Sequence, residues 1–377
     1  MEIICPTPTR GISGEIRREY RYRREETLYG GKVYVRRFWA PREGKNPVVR
    51  AFRYFWCIFQ SWRLGRKAKD IDVILAVSTP PIQGLMAGWL KKSLGCPFVY
   101  NLQDIFPDSL VHTGLSRRDS LLWKIGRQVE DTTYSRADKI VVISEDFRAN
   151  ILAKGVPMEK IEILYNWINE GESFPVPREK NPLFDRYSLP RNKFYIAYSG
   201  NIGHTQNMDM LLDVATSLFE REDIGFIIVG DGACRDHVEA RVRQEGLKNV
   251  ALLPYQPYAD IAFVFSLGDA GLLISKKGVG NNSVPSKTWG YLSAGRPVLA
   301  SFDTESELNR ILEREGCGVC VEPDNSEVLR ETLLKLVDGH APLKEMGERG
   351  RKFILENLTA RTATAKWLTL LEELVGH

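Results

Sequence analysis

The stretch Phe194-Tyr-Ile-Ala-Tyr-Ser199-Gly200-Asn201-Ile202-Gly203 joins an apolar run to a glycine turn, and a helical pattern follows from about Met208. Glycine lets a backbone approach another group closely, and a helix N-terminus offers unpaired N–H groups to an anion. The stretch therefore indicates a buried strand, a turn and a helix, which is the repeating unit of an α/β fold. A phosphate-binding turn and a plain structural turn explain this one segment equally well.

The same alternation of short apolar runs and helical patterns continues along the whole chain, as is typical of parallel strands buried on both faces. We predict strands at 32–38, 73–78, 98–102, 139–144, 161–164, 194–199, 225–229, 250–253, 270–274, 297–300 and 318–321. We predict helices at 49–69, 82–94, 120–135, 145–154, 208–222, 234–245, 286–294, 305–315, 326–336 and 343–374. The fold class is therefore α/β, with a Rossmann-like domain in each half of the chain.

The chain has 377 residues, too many for one compact core, and a polar, proline-bearing stretch divides its two halves. We predict an N-terminal domain over 1–169, a linker over 170–192 and a C-terminal domain over 193–355. The remaining segment, 356–377, is predicted as a helix with enough length to cross back to the first domain.

The composition, with 43% hydrophobic and 27% charged residues, is that of an ordinary globular protein and excludes collagen-like and disordered chains. No apolar run approaches the roughly 18 residues that span a bilayer, and Met1–Pro6 lacks the pattern of a signal peptide. We therefore expect a cytoplasmic protein.

The six cysteines are scattered, which indicates free thiols in a reducing compartment. Cys317 and Cys320 have the spacing of metal ligands, but a zinc site needs a second pair, and the histidines offer no partner motif. We therefore predict that this pair lies on a buried strand. No metal site and no cofactor are predicted.

Basic side chains outnumber acidic ones by 17 to 5 between Arg10 and Lys69, although the whole chain carries a net charge of only +4. This excess indicates an anionic partner. Nucleic acid is not expected, because the region contains no recognisable nucleic-acid-binding module.

An amphipathic pattern within this basic region indicates an anionic membrane surface. Aromatic side chains at near-helical spacing precede a basic cluster, and the residues are Phe55, Trp56, Phe59 and Trp62, then Arg63, Arg66, Lys67 and Lys69. A helix of this kind can lie among lipid headgroups. Packing of the same aromatic side chains against the sheet is an equally good interpretation.

A second glycine turn, Gly230-Asp231-Gly232, ends another apolar strand. In a parallel sheet, both turns fall at the carboxyl edge, where α/β proteins bind ligands. Neither turn has the dinucleotide fingerprint GxGxxG, which argues against a nicotinamide or flavin enzyme.

The segment Gly278–Val298 contains a glycine and asparagine loop, then Pro285-Ser286-Lys287 at the start of a predicted helix. Ser286 can serve as the N-cap. A lysine in the first turn of a helix opposes the helix dipole, and an anion bound at that terminus would explain Lys287. A solvated surface lysine is the alternative.

Together these motifs resemble the retaining GT-B glycosyltransferases of family 4. More narrowly, the chain resembles the bacterial subgroup, including L-fucosamine transferases, that builds O-antigen and capsule polysaccharides. The resemblance covers nearly the whole chain, and its carriers are 100–109 (YNLQDIFPDS), 137–144 (ADKIVVIS), 198–203 (YSGNIG), 229–232 (VGDG), 285–287 (PSK) and 295–297 (GRP).

The resemblance implies two Rossmann-like domains that face each other across a cleft. It implies metal-independent transfer from a UDP-sugar, an N-acetylated amino sugar by analogy, to a lipid-linked saccharide at the inner face of the cell membrane. The residues that it places at the donor are Gly200, Asn201 and Gly203 along the diphosphate, Ser286 and Lys287 on its phosphates, Gly232 and Tyr255 near the nucleoside, and Asn281 and Asn282 in the preceding loop. Gln103 is the candidate for sugar contact, and Asp104 for acceptor contact or a helix cap.

The chain departs from the family pattern at several positions. Asn282 and Gly290 stand where many members have glutamates, the later of which binds ribose. Asn201 and either Thr205 or Gln206 replace an Arg and a Lys, and Gln103 replaces a histidine. The first strand, glycine loop and helix of the family have no counterpart in this sequence, because Glu2–Arg10 resembles what normally follows them. A truncated gene start, a degenerate enzyme and a shorter subgroup are all compatible with this pattern.

Two other functions are compatible with these motifs. A UDP-sugar 2-epimerase shares the fold and the donor, but it needs acid and base groups that we cannot place. A non-catalytic scaffold that binds a nucleotide sugar is the second alternative, and the absent opening unit favours it.

Overall fold

The computed structural model describes residues 1–9, 12–42, 47–108, 111, 117–279, 284–339 and 341–376. The chain forms two compact units. Unit 1 comprises Met1–Val142, Asn150–Ile163 and Thr369–His377, and unit 2 comprises Ile143–Ala149 and Leu164–Leu368.

Unit 1 contains two sheets. Its strands are β1 (Glu2–Pro6), β2 (Glu25–Leu28), β3 (Val33–Phe38), β4 (Ile74–Val77), β5 (Phe98–Leu102), β6 (Lys139–Val142) and β7 (Ile161–Ile163). The first three form a sheet in the order β1-β3-β2, in which only β2 is antiparallel. The other four form a parallel sheet in the order β4-β5-β6-β7. The described helices of this half are Gly14–Tyr20, Pro47–Gly65, Gln83–Leu94, Leu121–Arg136 and Glu145–Ala153, the last of which divides between the two units.

Unit 2 is built on one parallel sheet of six strands. They are β8 (Phe194–Ser199), β9 (Ile224–Val229), β10 (Val250–Leu253), β11 (Ala270–Ile274), β12 (Val298–Ser301) and β13 (Gly318–Val321), in the spatial order β10-β9-β8-β11-β12-β13. Its helices are Pro182–Arg186, Met208–Ser217, Arg235–Gln244, Ile261–Phe265, Lys287–Ser293, Glu307–Glu315, Ser326–Val337, Leu343–Asn357 and Ala360–Val375, whose end belongs to unit 1. Buried apolar clusters cover both faces of the sheet. These two units confirm the predicted α/β class with two Rossmann-like domains.

The polar stretch between the two halves is more ordered than the sequence indicates. A short helix, Pro182–Arg186, forms inside it, and Asn181 caps this helix by accepting a hydrogen bond from the Leu183 N–H at 3.1 Å. Leu183 and Phe184 are buried in the core of unit 2. Two adjacent apolar residues are too short a signal for hydrophobic periodicity, so the sequence predicts only a linker here.

The arginine-rich segment after β1 also contains elements that the sequence does not predict, the helix Gly14–Tyr20 and strand β2. No residue of this helix is buried. Ion pairs contribute instead, because Arg23 binds Glu19 on the helix and Glu26 on β2, and Glu26 also binds Arg37. Periodicity of apolar residues cannot reveal elements that are held in this way.

Candidate active site

Two glycine turns meet at the carboxyl edge of the unit 2 sheet, after β8 and β9. Gly200, Gly230 and Gly232 have φ angles of +136°, +150° and +155°, a region that side chains other than glycine rarely adopt. A Cβ on Gly230 would lie 1.9 Å from the Gly200 carbonyl oxygen, and one on Gly232 would lie 2.4 Å from the Ile202 carbonyl oxygen. Glycine is therefore required for the two turns to pack together.

Backbone hydrogen bonds tie the turns to each other. The Gly200 N–H donates to the Val229 carbonyl at 2.9 Å, and the Ile202 N–H donates to the Asp231 carbonyl at 2.8 Å. The Arg235 guanidinium donates to the carbonyls of both Gly230 and Leu253. These hydrogen bonds hold the two glycine turns against each other at the carboxyl edge of the sheet.

The side chain of Lys287 extends to the first glycine turn from the first turn of the helix Lys287–Ser293. Its Nζ lies 3.8 Å from the centroid of the Tyr198 ring, and a Cβ on Gly200 would lie 3.2 Å from the same nitrogen. Tyr198 is fully buried, and its hydroxyl donates to the Asn201 carbonyl at 2.5 Å. One tyrosine therefore supports both the glycine turn and the lysine.

Burial lowers the pKa of Lys287 to about 7. Within the described part of the chain, no carboxylate forms an ion pair with it, so its ammonium depends on the face of the Tyr198 ring. A cation that is desolvated without a counterion favours binding of an anion at the same place. Lys287 is therefore not a freely solvated surface side chain, and anion binding by this lysine stays a prediction.

Ser286 precedes the helix in the N-cap position, but its side chain makes no capping hydrogen bond. The expected N-cap interaction is therefore wrong. The backbone of Ser286 is already helical, with φ −57° and ψ −26°, whereas a capping residue usually has extended geometry that turns its hydroxyl back to the helix. Its exposed hydroxyl group stays a candidate phosphate contact.

The remaining donor candidates differ in how the structure describes them. Asn201 is exposed on the first glycine turn, and the Gly203 N–H donates to Gln206 Oε1 at 3.2 Å. Tyr255 lies on the loop after β10 with its side chain 73% exposed, so its ring is open to stacking. Asn281 and Asn282 lie outside the described residues.

Gly290 is buried against Phe265. A Cβ on Gly290 would lie 2.2 Å from Cζ of that ring. The Phe265 and Tyr291 rings pack edge to face, 5.1 Å apart. No carboxylate can occupy this place while Phe265 fills it.

Gln103 and Asp104 follow the carboxyl end of β5, in unit 1. Their backbone N–H groups donate to the same oxygen, Ser78 Oγ, at 2.9 and 3.1 Å. Ser78 is buried directly after β4, so it joins the ends of two neighbouring strands. The Gln103 side chain donates to Asn101 Oδ1 at 2.8 Å.

Sequence reasoning gave no role to Tyr198 and Arg235 in unit 2, or to Ser78 in unit 1. Tyr198 carried the clearest signal, since it is the last aromatic residue of a buried strand that ends at a glycine turn. The roles of Arg235 and Ser78 depend on carbonyl and N–H groups from distant segments, which a residue pattern does not show.

The described residues contain no group of three or more His, Cys, Asp or Glu side chains that could hold a metal ion. All six cysteines are free thiols. Cys317 is buried immediately before β13, and Cys320 lies on that strand but is only partly buried, so the prediction that the pair lies on a buried strand is confirmed only in part.

Comparison with known families decides what kind of protein carries this site. Residues 1–167 match the glycosyl transferase 4-like domain family, and residues 179–353 match the glycosyl transferases group 1 family. The chain is a GT-B glycosyltransferase.

Curated relatives of this glycosyltransferase include two bacterial proteins. The probable glycosyltransferase WbjE of Pseudomonas aeruginosa is 27% identical over 341 residues, covering 89% of this chain and 84% of the relative. The putative colanic acid biosynthesis glycosyl transferase WcaI of Escherichia coli is 29% identical over 268 residues, covering 69% of this chain and 65% of the relative.

A solved structure with the same fold is Anabaena HepE in complex with UDP. It superimposes with a TM-score of 0.73 at 14% sequence identity, covering 99% of the glycosyltransferase and 100% of HepE. At this identity the likeness concerns the fold alone.

Proposed function

We propose that this glycosyltransferase moves a sugar from a UDP-sugar bound by unit 2 to a lipid-linked saccharide bound by unit 1. The product belongs to a cell-surface polysaccharide, such as O-antigen or capsule. The observation that carries the donor assignment is Lys287, a half-buried lysine without a carboxylate partner among the described residues, beside two glycine turns. The names of WbjE and WcaI support the glycosyltransferase part of the proposal, and the colanic acid in the name of WcaI supports the polysaccharide part.

The proposed chemistry follows from where charge develops. As the bond between the sugar and the diphosphate breaks, negative charge accumulates on the leaving UDP, so groups that stabilise this charge accelerate the reaction. Lys287 and the N–H groups of the glycine turns supply such groups in fixed positions. We propose that no divalent metal takes part, because these groups serve the leaving diphosphate directly.

Unit 1 is proposed to orient the acceptor, so that the new bond forms on the face from which UDP departs and the anomeric configuration is retained. Gln103 contacts the sugar, and Asp104 contacts the acceptor. The bond from both N–H groups to Ser78 fixes the backbone of this pair, which gives the two side chains a defined starting geometry.

The proposal is tested by incubating the protein with UDP-sugars, N-acetylated amino sugars first, and lipid-linked saccharides on anionic vesicles. We expect UDP release and a glycosylated lipid with retained configuration, undiminished by EDTA. UDP-sugar binding without turnover would favour the scaffold, and epimerisation of the donor without acceptor would favour the 2-epimerase.

UDP binding is expected to take up a proton at pH 8.5. The free Lys287 has a pKa of about 7, so it is mostly neutral at this pH, whereas a bound diphosphate favours the ammonium and raises that pKa. Calorimetry in two buffers of different ionisation enthalpy should show uptake approaching one proton. The same experiment with Lys287→Met is the control, and equal uptake by both proteins would contradict the assignment.

The same pKa fixes the sign of a stability effect. Between pH 7 and the usual lysine pKa, the unfolded chain holds a proton at Lys287 that the folded, nucleotide-free protein has lost. The contribution of this residue to the free energy of unfolding therefore rises with pH across that window.

We further propose that the helix Pro47–Gly65 docks on the inner leaflet of the cell membrane. Ile58 on this helix packs with Met86 and Leu90, whereas Phe52, Phe55 and Phe59 are 57%, 68% and 50% exposed. The aromatic side chains are therefore only partly used for packing against the rest of unit 1.

Charge on the same helix and beyond it complements an anionic leaflet. No acidic residue occurs from Val48 to Lys69. The Arg66 guanidinium stacks over Trp62 at 4.7 Å, and Lys67 and Lys69 are exposed. Each such residue contributes on the order of 1 kcal/mol near an anionic surface. No helix among the described residues has the length and apolar character needed to cross a membrane.

Replacing Phe52, Phe55 and Phe59 together with serine is expected to reduce co-sedimentation with phosphatidylglycerol vesicles by more than about tenfold, because apolar burial at the headgroup level is lost. The matched control replaces Leu121, Leu122 and Ile125, which are as exposed on another helix. Wild-type binding should weaken as salt rises. Absence of wild-type binding at low salt would contradict the docking proposal.

A further inference from the structure

Two carboxylates hold the loop 275–279, which follows β11 at the carboxyl edge of the unit 2 sheet. The Lys277 N–H donates to Asp324 Oδ2 at 3.0 Å, and the Gly278 N–H donates to Asp303 Oδ1 at 2.9 Å. The Lys276 N–H donates to the Thr205 carbonyl at 2.9 Å. Three successive N–H groups of this loop are therefore fixed from outside it.

Asp324 also reaches the helix that follows the first glycine turn. Its Oδ1 accepts a hydrogen bond from Asn207 Nδ2 at 2.6 Å. Asn207 in turn caps the helix Met208–Ser217, accepting from the Met210 N–H at 3.3 Å. One carboxylate therefore joins the loop to the segment that carries Gly200 and Gly203.

The backbone of Asp324 has a conformation that is unusual for a residue other than glycine. Its φ angle is +59°, in the left-handed region that favours glycine over residues with a side chain. Glycine would suit this backbone better. A carboxylate with both oxygens bound to separate segments offsets the unfavourable conformation.

We propose that Asp324, assisted by Asp303, is a positioning residue that holds the loop 275–279 and the first glycine turn in the geometry that binds the sugar donor. This assignment rests on the donor site of the proposed function. Asp324 acts through the backbone that it holds, and it is not itself a contact to the donor.

A graded series of variants separates positioning from stability. Asp324→Asn keeps one acceptor oxygen, and Asp324→Gly keeps none, while both suit the left-handed backbone better than aspartate does. UDP affinity should therefore fall in the order Asp, Asn, Gly, with a loss on the order of tenfold for glycine. Thermal stability should not fall in that order, because glycine relieves the backbone conformation.

The matched control is Asp70→Gly, at an exposed aspartate with a similar φ of +54° in unit 1. It should leave UDP affinity unchanged. Hydrogen exchange without nucleotide provides the second measurement, in which Asp324→Gly should accelerate exchange of the Lys277 and Gly278 amides and Asp70→Gly should not.

Unchanged exchange of these two amides in Asp324→Gly would overturn the proposal, whether or not UDP binds. Equal UDP affinity in wild type and Asp324→Gly, or a loss that parallels a loss of thermal stability, would also overturn it. Absence of UDP binding in the wild type is a failure of the proposed function instead, and the exchange measurement still decides whether the loop is held.

Discussion

Replacing Lys287 with alanine is expected to weaken UDP binding by about 10- to 100-fold, the equivalent of one charge-assisted phosphate contact. Uridine binding should change little, because the ammonium lies at the glycine turns and not at a nucleoside contact. The same change should lower kcat/KM further than it weakens UDP binding, since charge on the diphosphate grows in the transition state. Calorimetry with UDP and uridine, and steady-state kinetics, measure these effects.

The matched control is Lys248→Ala, which removes an exposed lysine from the same unit. Lys287→Arg is a second useful variant, because it keeps the charge but not the fit beneath Tyr198. Equal losses of affinity for UDP and uridine would mean that Lys287 does not contact phosphate.

Replacing Gly230 with alanine should lower the free energy of unfolding by about 3 kcal/mol or more, through a backbone clash as well as an unfavourable φ. The added Cβ would lie 1.9 Å from the Gly200 carbonyl oxygen. Because the clash is with a backbone atom and not with a movable side chain, the two turns must separate to relieve it, and donor binding should fall with stability. Urea unfolding measures the first effect and calorimetry with UDP the second.

Gly246→Ala isolates the contribution of backbone conformation. Gly246 has a φ of +64°, and nothing lies within 4 Å of a Cβ built on it, so its replacement should cost only about 1–2 kcal/mol. If the two substitutions destabilised the protein equally, the close packing of the glycine turns would not be the cause.

The parts of the fold that depend on buried strands could be predicted from the sequence. The bounds of β5 and β8 agree with the prediction, because each strand is an apolar run between polar or turn-forming residues. The glycine turns and Lys287 were likewise recognisable, since glycine and a lysine at a helix start are unusual enough to need a reason.

Contacts between distant segments could not be predicted in this way. Nothing in the local pattern around Ser78 or Arg235 shows which backbone groups they bind. The N-cap role expected of Ser286 failed for a related reason, because the side-chain pattern was suitable but the backbone conformation was not. Elements that are held by ion pairs, such as β2, escape a method based on apolar periodicity.

The packing of Phe265 against Gly290 makes these two positions epistatic. Putting glutamate at position 290 alone would drive its Cβ into the ring, and shrinking Phe265 alone would leave a cavity that costs about 3–5 kcal/mol. Each single substitution therefore lowers the free energy of unfolding. An engineering library that randomises position 290 by itself will therefore return little except glycine, and a side chain can be introduced at this place only by varying both codons together.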